Sequence, residues 1–278
     1  MTDQPLRIVL CTNGGLHGAL VLDRLLASPR VRIAGIVRST RTFKPGDGFL
    51  RGAVAYVRRC GVAYALYLGC VTALADALLC HARVASSVGR QARRHGIPVL
   101  KTRQINDAAG RRFVDGAAAD LLVSAFFNQR IDMSLAGLPR HGAVNIHPSP
   151  LPGFRGVDPV FHATLRRADT LGVSVHRIAA EFDTGALLAR EARAAEPHHS
   201  VFWSTAQSYD RGALLLLAAL DDIAGGVTGT PQPPGGSYDS WPDAAQVAAL
   251  RRQGGKLQTM RDWGQLLRGH FPGRETSR

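Results

Sequence analysis

Asn145, His147 and Asp183 are the residues whose types and spacing best suit acyl chemistry. Asn145 and His147 stand two apart in GAVNIH, and a strand repeats its faces every two residues, so amide and imidazole point the same way. An amide N–H can donate to an oxygen that becomes negative, and an imidazole exchanges a proton near neutral pH. Such a pair needs a carboxylate to orient the histidine or collect the proton. Asp183, in the tight turn FDTG between two predicted strands, is the candidate. Alone, His147 reads as a satisfied loop residue; joined to Asn145, Asp183 and the loop between them, it reads as part of a site.

That loop holds Pro148, Pro150 and Pro152 with Gly153 and Gly156, whose restricted φ angles suit a rigid wall around a ligand. Asn13, Gly14 and Gly15 sit between a strand and a helix. They read equally as a cradle for a substrate phosphate at the helix N-terminus and as a plain turn needing glycine, and the GxGxxG spacing is missing. Arg155 is either a cation for the acceptor or a brace of the loop. His176 falls inside a strand and reads as structural. His198 and His199 look like a metal pair, but adjacent residues on a strand point apart and no third ligand is evident, so no metal site is expected.

The elements that must position these groups alternate. Leu6–Cys11, Val31–Val37, Gly96–Leu100, Asp120–Phe127 and Gly142–His147 are short apolar runs of buried-strand type, separated by helical patterns over Leu16–Leu26, Leu50–Cys80, Ser86–His95 and Asp107–Gly116. Beyond a helix at Val160–Arg167, Gly172–Ile178 and Ala186–Arg190 read as strands and Ser200–Gly225 as the longest helix. This order predicts an α/β fold with a parallel sheet, its ligand crevice beyond the carboxyl ends of the strands, where Asn13–Gly15 and Asn145–Pro148 both fall. We expect a catalytic domain over residues 1–200 and a short helical C-terminal extension over 201–278, the part beyond Thr230 a cap and not an independent domain.

Composition narrows the class. With 278 residues, 45% hydrophobic and 20% charged, the chain can bury a sizeable core. The net charge of +13 favours anionic partners. Only Lys44, Lys101 and Lys256 are lysines, however, and no basic run marks a nucleic-acid groove, so nucleic acid is not the expected partner. Cys11, Cys60, Cys70 and Cys80 lack CxxC spacing and read as buried free thiols. The start, MTDQPLRIVLC, enters a strand without the basic flank of a signal peptide, so a cytoplasmic protein is expected. The uncharged run Gly61–Ala75 falls short of the ~20 residues that span a bilayer and reads as a buried helix, with a partner subunit (a homodimer) or a membrane surface as the other readings.

NIHPSPLPGFRG, followed by GVSVHRI and FDTGALL, resembles the folate-dependent formyltransferases that act on glycinamide ribonucleotide, methionyl-tRNA or sugar nucleotides, together with the related formyltetrahydrofolate hydrolases. The resemblance covers roughly residues 6 to 195. It implies a Rossmann-like, mostly parallel sheet flanked by helices, and a formyl group taken from 10-formyltetrahydrofolate. It carries the family's Asn, His and Asp onto Asn145, His147 and Asp183, with Asn145 and protonated His147 stabilising the oxyanion and Asp183 relaying the amine proton. It places the folate against Phe126, Phe127, Asn128, Ile131, Phe182 and Asp183, and the acceptor near Asn13, Gly14, Gly15, Ser149 and Arg155. Ser149-Pro150-Leu151-Pro152 departs from the usual Ser-Leu-Leu-Pro, and the segment from about Leu50 to Cys80 is an insertion that would reshape the acceptor side. The chain after Ser200 reads as too short and helical for the barrel of tRNA-acting members. The expected acceptor is therefore the primary amine of a small molecule, an amino sugar or biosynthetic amine. Hydrolysis of the same donor, or a catalytically silent folate- or partner-binding role, are the alternatives.

Overall fold

A computed structural model describes residues 4–41, 49–78, 86–196, 198–268 and 271. The turn expected at Lys44–Gly48 and the thiol of Cys80 lie outside them. The strands are β1 (Leu6–Thr12), β2 (Val31–Ser39), β3 (Val99–Thr102), β4 (Leu121–Ala125), β5 (Ala143–His147), β6 (Arg155–Gly156), β7 (Thr170–Arg177), β8 (Leu187–Ala194) and β9 (Tyr238–Asp239). Seven of them form one sheet in the order β3-β2-β1-β4-β5-β7-β8, and β6 pairs with β9 in a separate ribbon. From β3 through β5 every pairing is parallel; β7 then runs antiparallel to β5, and β8 antiparallel to β7. The fold is thus the mostly parallel α/β sheet the alternation predicted, with its one reversal beside the strand that carries Asn145 and His147.

The uninterrupted apolar runs are strands covered on both faces. Ile8 and Leu10 face one layer of core, with the helix Gly15–Leu26; Val9 and Cys11 face the other, with Val37 and Val114. Leu16, Leu20, Leu22 and Leu25 of that helix are fully buried, each contributing on the order of 1.5–3 kcal/mol by leaving water. On β5 the alternation separates structure from chemistry. Ile146 faces the helix Val201–Ala218, which crosses so close that a β-carbon at Gly212 would lie 2.3 Å from the Ile146 methyl, so only glycine fits there. Asn145 and His147 project from the opposite face.

The helix Val201–Ala218 is capped by Ser200, whose Oγ accepts from the Trp203 amide and donates to Asp262, tying the C-terminal helix Met260–Leu267 to it. It ends at Ala219, short of the expected Gly225, and a separate turn Leu220–Ala224 follows. It is locked to the helix Gly15–Leu26 by a bidentate pair, Arg24 Nε and Nη2 to the two oxygens of Asp210 at 2.9 and 2.8 Å, the aspartate 1% exposed. Removing one member of a buried pair strands the other, so Asp210→Ala should lower the free energy of unfolding by about 3 kcal/mol in denaturant titration. A change within experimental error would show that the pair is not a structural tie.

The apolar run Gly61–Ala75 is only half buried. It belongs to the helix Phe49–Gly69, kinked at Gly61, which runs on through a π-helical turn Cys70–Leu74. Tyr64, Tyr67 and Val71 are buried on its inner side, whereas Val62 and Leu66 are more than 60% exposed on the outer. Among the described residues no helix is long and apolar enough to cross a membrane. Cys11 and Cys60 are buried free thiols; Cys70 is free and only partly buried.

Candidate active site

Asn145, His147 and Asp183, separated by up to 38 positions in sequence, meet in one cluster. Asp183 Oδ1 accepts from Asn145 Nδ2 at 3.4 Å and lies 3.5 Å from His147 Nδ1; its Oδ2 accepts from the Gly156 amide at 2.9 Å. Three features of the fold bring them together: the two-residue spacing on β5, the arch between β7 and β8 that folds over its face, and the loop after β5 that delivers Gly156. Asp183 sits at φ 56°, one of three cavity-lining non-glycine residues in the left-handed region, with Phe126 at 51° and Asp158 at 48°. Such conformations cost about 1–3 kcal/mol each and persist where the surroundings over-determine them.

His147 is 4% exposed. Its Nε2 lies 2.9 Å from the Phe154 carbonyl oxygen, which accepts only, so Nε2 carries a proton and Nδ1 turns to Asp183. Burial pulls the imidazole below the ordinary histidine range, against the upward pull of Asp183. Burial by itself would raise the Asp183 carboxyl, but His147, His176 and the Gly156 amide outweigh it and hold the group far below the usual carboxylate range. A resting, protonated His147 is therefore not what these surroundings favour: the imidazole waits neutral beside an ionised aspartate.

His176, read from sequence as structural, belongs to the same cluster. Its Nδ1 lies 2.8 Å from the Arg177 carbonyl oxygen, and its Nε2 stands 3.2 Å from Asn145 Nδ2 and 3.6 Å from Asp183 Oδ1. The antiparallel register sets Asn145 directly opposite His176. Only the reversal of β7 creates that pairing, which a reading as uniformly parallel strands hides. His176→Ala should lower kcat about 10-fold by freeing the Asn145 amide to rotate, with the KM for the formyl donor unchanged. Equal losses in both parameters would assign His176 to donor binding instead. Gln232 is the second residue that sequence missed. Its Nε2 donates to the carbonyls of Asp183 and Gly185, both at 2.8 Å, while its Oε1 accepts from Arg155 Nη2 at 2.8 Å. The segment beyond Thr230 therefore buttresses the turn that carries Asp183, and Arg155 braces the loop through it. No sequence signal marks a glutamine in a Pro/Gly-rich stretch for that task.

The cluster opens into a cavity of about 820 Å³. Phe126, Phe127, Asn128, Ile131, Phe182 and Asn13 line it as well. The loop after β4 is held rigid: the Asn13 amide donates to the Phe126 carbonyl, the Asn128 amide donates to Asn13 Oδ1, and Asn128 Oδ1 accepts from the Ser39 hydroxyl. The remaining acceptor-side residues do not reach the cavity. Ser149 is buried and donates to the Gly153 carbonyl, and Gly14 lies under the Arg38 guanidinium. Gly15 is covered by Val71. The residues present fit a folate: three phenyl faces suit a flat heteroaromatic ring, and Arg41, whose buried Nε has no hydrogen-bond partner among the described residues, suits its carboxylates. Elsewhere, Glu196 joins His198 and His199 so that three ligand atoms lie within 4.8 Å, supplying the third group that sequence did not show. The cluster is largely exposed, and Arg193 Nη1 lies 3.9 Å from Glu196.

Structures of known proteins define the class of fold. Phosphoribosylglycinamide formyltransferase from Bacillus halodurans superposes with a TM-score of 0.52 at 18% identity, over 78% of this chain and 94% of that one. WlaRD, a sugar 3N-formyl transferase whose structure was solved in the presence of dTDP and 5-N-formyl-THF, superposes with a TM-score of 0.52 at 14% identity, over 84% and 69%. Residues 73–219 match the formyl transferase family, and the chain belongs to it. It is 34% identical to methionyl-tRNA formyltransferase of a Roseiflexus species over 229 residues, 82% of this chain and 60% of that one. The chain spans about half the length of the first curated relatives it matches.

Proposed function

We propose that this protein transfers a formyl group from 10-formyltetrahydrofolate to the primary amine of a small molecule, with Asn145, His147 and Asp183 as its catalytic residues. The observation that carries the reading is the single carboxylate oxygen of Asp183 within 3.5 Å of both the Asn145 amide and the His147 ring. A neutral amine attacks the formyl carbon, and Asn145 Nδ2 donates to the oxygen as it becomes negative, an interaction worth about 3 kcal/mol. The attacking nitrogen loses a proton to His147 Nδ1, and the imidazolium so formed is paired with Asp183. As the tetrahedral centre collapses, the bond from the formyl carbon to N10 of the folate breaks and N10 takes that proton. The products are a formamide and tetrahydrofolate, so atoms and charge balance. A cavity of about 820 Å³ that must also hold the folate favours a small acceptor. The supporting experiment follows tetrahydrofolate release and product mass with 10-formyltetrahydrofolate and a panel of amines that includes methionyl-tRNA. Amine-dependent release with a formylated small product is expected; formate released at full rate without any amine would make the protein a hydrolase.

A further inference from the structure

The acceptor half of the cavity is built partly by segments that lie outside the matched residues 73–219. One wall comes from the helix Phe49–Gly69 and the π-helical turn after it, and Trp241 lies on the segment beyond Thr230. The wall is aromatic. Tyr64 and Tyr67 stand 5.6 Å apart, Tyr56 meets Trp241 edge-on at 5.6 Å, and Tyr209 stacks on His17 at 5.3 Å. The walls given by Phe49–Gly69, Cys70–Leu74, Val201–Ala218 and Tyr238–Trp241 contribute no lysine or arginine among the described lining residues. Their neighbour from the N-terminus of the helix Pro159–Leu165 is a carboxylate, Asp158, whose Oδ2 accepts from Tyr64 O–H at 2.6 Å. Beside the helix end at Gly15 stands the Val71 carbonyl oxygen, the negative end of a peptide dipole, 2.6 Å from where a β-carbon would lie, with the Arg38 guanidinium over the preceding Gly14. Among the described residues of these walls, His17 Nδ1, the Tyr56 hydroxyl and Thr205 Oγ1 are buried without a hydrogen-bond partner. His17, 1% exposed and held neutral by burial with a pKa of about 3, lines this chamber, and its Nδ1 has no hydrogen-bond partner among the described residues.

We infer that the acceptor is a primary amine on an aromatic or otherwise apolar body, without phosphate, received between Asp158 and the tyrosine–tryptophan wall of the inserted helix. The inference rests on the proposed formyl transfer and adds the substrate class. Asp158 attracts the amine as its ammonium, whose proton returns to solvent before attack; the wall takes the apolar body, and His17 Nδ1 meets a polar substituent on it. An anionic group placed against this wall would face Asp158 and the Val71 carbonyl, and no lysine or arginine among the described residues of these walls would pair it.

The test measures kcat/KM with 10-formyltetrahydrofolate for phenethylamine and tyramine against glucosamine 6-phosphate, with calorimetry on each amine, in the full chain and in Asp158→Asn. Asparagine still caps the helix Pro159–Leu165, and donor affinity measured by calorimetry reports that the variant is folded. The aromatic amines should be favoured at least 10-fold. Asp158→Asn should raise their KM at least 10-fold with kcat changed less than 3-fold. Equal or better use of glucosamine 6-phosphate, no detectable binding of either aromatic amine, or an unchanged KM in Asp158→Asn would overturn the inference. Formylation of the phosphorylated amine would do so while leaving the proposed transfer intact, whereas the absence of tetrahydrofolate release with every amine would count against the transfer itself.

Discussion

Replacing His147 by alanine is expected to lower kcat for formyl transfer about 1000-fold, within the range that general acid–base transfer supplies, while the affinity for 10-formyltetrahydrofolate changes less than 3-fold. The imidazole is the one group in the cluster positioned both to take a proton from the attacking nitrogen and to hand it on. Its Nδ1 faces Asp183 and its Nε2 is held by the Phe154 carbonyl, so the ring cannot swing away during the cycle. Donor binding survives in the proposed transfer because the loop after β4, with Phe126, Phe127 and Asn128, is fixed by the Asn13, Asn128 and Ser39 hydrogen bonds, none of which passes through His147. Single-turnover kinetics beside calorimetry on the donor separates the two quantities. A loss in both to the same degree would mean that His147 supports the fold of the pocket and not the reaction.

Asp183→Asn is the second large effect, with kcat lowered about 100-fold or more, because the imidazolium formed during attack loses its partner charge in a buried setting. Its pH signature is the sharper readout. In the proposed transfer His147 works as a base, so activity should be lost as pH falls through its pKa. Burial already draws that pKa below the ordinary value of about 6.5, and Asp183 opposes the shift. The acid limb of the wild-type protein should therefore lie below the ordinary histidine value, and removing the Asp183 charge should move it to still lower pH. An acceptor amine that is itself neutral across this range keeps its own titration out of the profile. An acid limb that moved upward in Asp183→Asn would contradict the assignment of the base.

The three polar residues were legible in sequence because each is placed by a local rule: a two-residue strand spacing for Asn145 and His147, and a turn between strands for Asp183. The strands themselves were legible as apolar runs. What escaped depends on contacts far apart in the chain. His176 enters the site only because β7 reverses and pairs with β5, so that residue 145 stands opposite residue 176. Gln232 reaches Asp183 from 49 residues away, and by occupying Arg155 it decides between the two readings of that arginine. Nothing in the run Gly61–Ala75 told its inner face from its outer. The kink at Gly61 and the packing of the helix Ala244–Arg252 against this helix direct Tyr64 and Tyr67 inward and leave Leu66 exposed. The end of the long helix at Ala219 had no proline or glycine to announce it.

Isotopic transfer tests the catalytic cluster most directly. With 10-formyltetrahydrofolate carrying a 13C-labelled formyl carbon and an accepted amine, the wild-type protein should give a labelled formamide in the stoichiometry of the tetrahydrofolate released, and His147→Ala and Asp183→Asn, with donor binding intact, should give almost none. Labelled formamide formed by both variants at the wild-type rate would contradict the account.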